Sequence, residues 1–187
     1  QLTSLVCTHI SMADVTDLFV GLVLRDAHIE SLPAAAWHAL QYACLAYNEL
    51  TFIPSSMTTI LPSLRYLDVS HNLLNAVPPA LECLHKLQAL NVSGNMIDSV
   101  LGIYLSLPHI RVLNLGGNRL ESLCGVERLH TLEQIDLRAN IIQDPGEVGR
   151  LATLPQISHV WIHSNPLLDT HPDARVACFY FFALEHK

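Results

Sequence analysis

The chain is 187 residues long, half of it apolar, with 14% charged residues and a formal net charge of −7 at pH 7. That balance supports one folded domain with a substantial core; it excludes a disordered chain and argues against a surface that tracks nucleic-acid phosphates. The five cysteines, at positions 7, 44, 83, 124 and 178, never pair as CxC or CxxC, a usage that suits a reducing, cytoplasmic compartment. The chain starts at Gln1, with no signal-like stretch ahead of the globular pattern, and so reads as a domain excised from a longer protein.

Residues 1–18, containing LTSLVC and DVTDLFV, are expected to form an amino-terminal cap or one further worn repeat. From residue 19 to 167 an eleven-residue pattern recurs, apolar-x-x-apolar-x-apolar-x-x-Asn-x-apolar. A degenerate copy, FVGLVLRDAHI, begins at Phe19 and has Ala27 at the asparagine position. LQYACLAYNEL follows from Leu40, LRYLDVSHNLL from Leu64, LQALNVSGNMI from Leu87, IRVLNLGGNRL from Ile110, LEQIDLRANII from Leu132 and ISHVWIHSNPL from Ile157. The uncharged run Ser31–Asn48 approaches membrane-span length, but Pro33, His38 and Gln41 interrupt it and it fits the repeat, so no transmembrane segment is expected.

Apolar residues two apart, as at Leu67 and Val69, predict one buried face of a short strand in every copy, and stacking the copies predicts a parallel sheet. Asn48, Asn72, Asn95, Asn118, Asn140 and Asn165 carry both a donor and an acceptor, and so can satisfy backbone groups buried in the turn after each strand. They are expected to form a ladder along the molecule. Between strands, spacings such as Leu81, Leu84 and Leu87 predict a helical or 3₁₀ turn packed on the sheet.

The stretch HSNPLLDTHPDARVAC, from His163, resembles a zinc-ligand cluster at first sight. His159 and His163, however, lie four apart on a predicted strand, about 13 Å at ~3.3 Å per residue, too far for one zinc. No metal or cofactor is expected. The stretch reads as a cap: Pro166 ends the last repeat, Thr170 and Asp173 have capping-box spacing, and a helix covers the open core through Val176, Phe179, Tyr180 and Ala183. Cys178, Phe181 and Phe182 make that helix apolar on almost every side, which predicts contact with other domains of the same protein or with a partner.

Side chains facing away from the core should form columns across the sheet. One reads Val23, Cys44, Asp68, Asn91, Asn114, Asp136, Trp161, and its flanks read Gly21, Tyr42, Tyr66, Ala89, Val112, Gln134, His159 and Arg25, Ala46, Ser70, Ser93, Gly116, Arg138, His163. Tyr42, Tyr47, Tyr66, Asp68 and His71 gather toward one end, Asp136, Arg138, Trp161 and His163 toward the other, with small residues between. Tyrosine, tryptophan and arginine dominate binding hot spots, so these two clusters are the candidate protein-binding residues. No serine, histidine and acid arrangement and no phosphate loop stands out, so catalysis is not expected.

These repeats resemble the leucine-rich repeat family, and the resemblance implies an α/β solenoid, a right-handed horseshoe of about seven repeats with a parallel concave sheet and a helical carboxyl-terminal cap over residues 168–187. Asn165-Pro166 and Arg175 match the family's cap motif, with Ala174 where tyrosine is usual, and the helix around Phe179 would complete it. The short repeats are similar to those of a regulatory subunit of protein phosphatase 1 and to the repeat regions of nischarin and the LKB1-interacting protein. The resemblance implies an interaction module within an intracellular signalling or trafficking scaffold, with a kinase, phosphatase or small GTPase as partner and neither nucleic acid nor inserted membrane. Its alternatives are direct regulation of protein phosphatase 1 and an architectural domain that packs against the rest of its own chain.

Overall fold

The computed structural model describes residues 3–9, 11, 38–55, 61–170 and 173–185. Seven three-residue strands form one parallel sheet in strict chain order: β1 (Ser4–Val6), β2 (Tyr42–Cys44), β3 (Tyr66–Asp68), β4 (Ala89–Asn91), β5 (Val112–Asn114), β6 (Gln134–Asp136) and β7 (His159–Trp161). From β2 onward each strand occupies the predicted place in its repeat. Leu64, Leu67 and Val69 are fully buried, as are their counterparts in the inner copies, so each repeat stacks its leucines on those of the last.

The strands are short because the backbone turns sharply two residues after each apolar pair. Tyr47, His71, Gly94, Gly117, Ala139 and Ser164 all take positive φ, between 52° and 64°. Only Gly94 and Gly117 do so without strain; the others hold a conformation costing about 1–2 kcal/mol, fixed by the asparagine that follows. Asn95 shows how. Its Oδ1 accepts the Leu74 amide at 3.0 Å while its Nδ2 donates to the carbonyls of Val69 and Val92 at 3.1 and 2.9 Å, tying its own repeat to the one before. Asn72, Asn118 and Asn140 repeat the arrangement.

The return segments carry 3₁₀ turns at Pro79–Cys83, Val126–Arg128 and Arg150–Thr153 and short helices α1 (Ile103–Ser106) and α2 (Pro145–Gly149). The chain ends on α3 (Leu167–Thr170) and α4 (Ala174–Glu185).

Three expectations need revision. β2 pairs with Ser4–Val6 rather than with a strand of the Phe19 copy, whose Gly21, Val23, Arg25 and Ala27 lie outside the described residues. Leu5 and Cys7 supply the apolar alternation at that strand. Thr170 does not cap the last helix: its hydroxyl donates to the Pro166 carbonyl at 2.9 Å, inside α3. The inner face of α4 is also not the predicted one. Ala174 and Cys178 are buried and Phe181 packs on Gly149, whereas Val176, Phe179 and Tyr180 are exposed, Phe179 by 70%. α4 packs on α2, where the Phe181 ring lies against Gly149, and that contact sets the helix's rotation.

Candidate protein-binding face

The in-register strands place every third, fifth and seventh residue of the repeat on the outer face of the sheet, in columns running from β1 to β7. The middle column has a structural duty that pattern reading did not reveal. Asp68 Oδ1 accepts the Ser70 amide at 2.9 Å, Asn91 the Ser93 amide at 3.1 Å, Asn114 the Gly116 amide at 3.0 Å and Asp136 the Arg138 amide at 3.0 Å. The chain leaves the ladder at this amide, and the side chain two residues earlier supplies its acceptor. Asx four residues before the ladder asparagine, as in Asp68 and Asn72 or Asp136 and Asn140, is the signal that could have found it.

Asp68 is further engaged by Asn91, whose Nδ2 donates to Oδ2 at 3.0 Å. Asp68 and Asp136 therefore shape the face more than they offer free acceptors to a ligand. Asp136 nonetheless aims its neighbour. The Arg138 Nε lies 2.9 Å from both carboxylate oxygens, and this charge-assisted pair holds the exposed guanidinium firmly protonated, hydrogen bonding and attraction outweighing slight desolvation.

Toward β1 the aromatic residues gather in two stacks. Tyr42 and Tyr66 lie parallel, with centroids 4.7 Å apart and planes 4° apart. Tyr47 sits between His71 at 4.3 Å and His9 at 4.6 Å. His9 was missed in the sequence because LTSLVC was not aligned on the repeat; aligned, it falls on the Tyr47 position. Burial, then the charge of Asp68, which also accepts the phenol's hydrogen bond, pushes the Tyr66 hydroxyl up to about 12, so it remains a donor at any physiological pH.

Toward β7, Trp161 and His159 stack at 5.7 Å, with Arg138 one strand away and His163 two residues on, all exposed. The structure thus brings together both predicted clusters on one face, Tyr42, Tyr47, Tyr66 and His71 at one end and Arg138, Trp161 and His163 at the other. Between β3 and β6, three strand steps of ~4.8 Å leave a floor about 14 Å wide, enough for one helix diameter. Ala89, Asn91, Ser93, Val112, Asn114 and Gly116 form that floor.

Among the described residues no three histidine, cysteine, aspartate or glutamate side chains gather as metal ligands, and no helix is long and apolar enough to cross a membrane.

A family model for leucine-rich repeats matches residues 40–97. The human serine/threonine-protein kinase 11-interacting protein is 35% identical over 77% of this chain, which covers 13% of that protein. A leucine-rich repeat-containing protein of Schizosaccharomyces pombe is 34% identical over 87% of this chain, which covers 26% of it. The chain therefore spans about a quarter or less of the curated relatives it matches. Among solved structures, a leucine-rich repeat protein of Leptospira interrogans superposes with TM-score 0.64 at 26% identity, over 80% of this chain and 37% of that one. An internalin of Listeria monocytogenes superposes with TM-score 0.59 at 20% identity, over 73% of this chain and 39% of its own.

Proposed function

This chain is a leucine-rich repeat solenoid, and from that premise we propose that it is a protein-interaction module that holds a partner helix or extended segment across the concave face of its sheet. The observation that carries this reading is the pairing of two rigid anchor groups, the stacked aromatics of β2 and β3 and the Arg138–Trp161 cluster, on either side of a small-residue floor. Stacking and the Asp136 bond fix these side chains before binding, so little side-chain entropy remains to be lost. The name of the human relative, a protein that interacts with a serine/threonine kinase, makes a kinase the first partner class to test. The module serves as the scaffold or regulatory part of a longer cytoplasmic protein.

The test is co-purification from cell lysate by the wild-type chain and by a variant carrying Tyr66→Ala, Arg138→Glu and Trp161→Ala, with unchanged circular dichroism. Partners retained by the wild type and lost from the variant support the concave site. Identical partner sets remove it.

A further inference from the structure

The solenoid stops with its hydrogen-bonding ladder open. In every inner copy the sixth residue of the repeat donates its amide to the next strand: Leu45 to Asp68, Val69 to Asn91, Val92 to Asn114, Leu115 to Asp136 and Leu137 to Trp161. The eighth residue does the same, from Tyr47 to Ser70 through to Ala139 to His163. Ile162 and Ser164 occupy those two places in the last copy, and among the described residues neither amide has an acceptor. The second residue's carbonyl accepts from the following strand at Gln41, Arg65, Gln88, Arg111 and Glu133; at Ser158 no strand follows among the described residues.

The terminal helix does not close this edge. α4 packs on α2 and on the Arg150–Thr153 turn, leaving a groove of about 660 Å³ between helix and strand. Its apolar walls are Val160 and Ile162 from the strand and Leu168, Cys178, Phe179 and Phe182 from the cap. Its ionisable lining besides Cys178 is Arg175 and His163, and among the described residues no carboxylate lines it. Arg175 is exposed and makes no hydrogen bond or ion pair with any described residue, so its guanidinium is not committed elsewhere in the described fold.

We propose that this edge is a second docking site, meeting the concave face only at Trp161 and His163, that takes an extended acidic segment of a partner protein as an eighth parallel strand. The open ladder dictates the extended form: the segment's carbonyls accept from Ile162 and Ser164, and its amide donates to Ser158. The groove calls for apolar residues at alternate positions, to lie on Val160 and Ile162 beneath Phe179 and Phe182. The free guanidinium and the absence of carboxylates set the segment's charge, against the acidic balance of the chain as a whole.

The test uses the 187-residue chain and two blocked, fluorescein-labelled nonapeptides, LEELDLEDN and its charge-reversed counterpart LKKLKLKRN, followed by anisotropy and by amide hydrogen exchange. The acidic peptide should bind saturably and at least about tenfold more tightly than the basic one. It should also slow exchange at Ile162 and Ser164. Arg175→Glu should invert the peptide preference and Phe179→Asp, at an exposed position, should abolish binding, while Phe52→Asp, exposed near the other end, should leave it intact. Failure of the acidic peptide to bind at millimolar concentration overturns the proposal. So does binding indifferent to Arg175→Glu, or protection of the two amides that rises with protein concentration in the absence of peptide, which would assign the edge to a second copy of the chain.

Discussion

Replacing Asn95 by alanine tests the ladder more sharply than its many bonds suggest. Asn95 is buried and makes four hydrogen bonds: it accepts from Leu74 and donates to Val69, Val92 and Ser93. Three of those partners keep another bond when the side chain is lost. The Val69 carbonyl still accepts from Asn72, Val92 from Asn118 and Ser93 from the His71 amide. Only the Leu74 amide is orphaned, so Asn95→Ala should cost about 2–4 kcal/mol, about 1–3 for the unsatisfied donor and the rest for the weakened bonds. Urea unfolding followed by circular dichroism measures it. The same network predicts where additivity fails. Removing Asn72 together with Asn95 strips Val69 of both side-chain donors, so the pair should cost about 1 kcal/mol more than the sum of the singles, whereas Asn95 and Asn140 share no carbonyl and should add. A loss below about 0.5 kcal/mol for Asn95→Ala, or additivity in the first pair equal to that in the second, would refute the shared-carbonyl account.

Gly125 has φ +107° and a Cβ built there would lie 2.9 Å from the Val100 carbonyl oxygen, so Gly125→Ala should cost roughly 3 kcal/mol. Gly102 has φ +79° in open space, and Gly102→Ala should cost about 1 kcal/mol; thermal melts compare the two. Burial alone would push the Glu147 carboxyl up, but Arg150, the Leu123 amide and the Ser122 hydroxyl outweigh it and hold the group below the usual carboxylate range. Its contribution is therefore complete above the unfolded-state pKa of about 4.3 and is lost as pH falls through the lower folded value, so Glu147→Gln should flatten the acid limb of a stability–pH curve. Phe181, packed on Gly149, should cost about 1–3 kcal/mol on truncation to alanine, and exposed Phe179 under about 0.5, as read by denaturant midpoints.

What was legible in the sequence was whatever repeats. Leucines at fixed offsets dictate which face of every strand is buried, and one asparagine per copy dictates the turn, so strands β2 to β7 and both concave clusters follow from the period alone. The amino-terminal edge did not follow. FVGLVLRDAHI matches the period better than LTSLVC does, but β2 takes Ser4–Val6 as its neighbour, and with that pairing His9 joins the Tyr47–His71 stack. The terminal helix misled for the opposite reason: it is apolar all round, so no contrast in its sequence selects a face. The choice falls to the contact with α2, where Gly149 has no side chain to hold the Phe181 ring away. The paired acids were half legible. Asp136 and Arg138 were visible as neighbours, but the amide that Asp136 accepts, two residues on, is a matter of local turn geometry that hydrophobic spacing does not encode.

The central claim is that the concave face holds a protein partner. The most direct measurement places a photo-crosslinking benzoyl-phenylalanine in turn at Tyr66, on that face, and at Leu101, exposed on the return side of the solenoid, and identifies the captured proteins by mass spectrometry. The account predicts a discrete partner crosslinked from position 66 and absent from position 101, with its contact peptide drawn from a single helix or extended segment. Equal capture from both positions, or capture from position 101 alone, would contradict it.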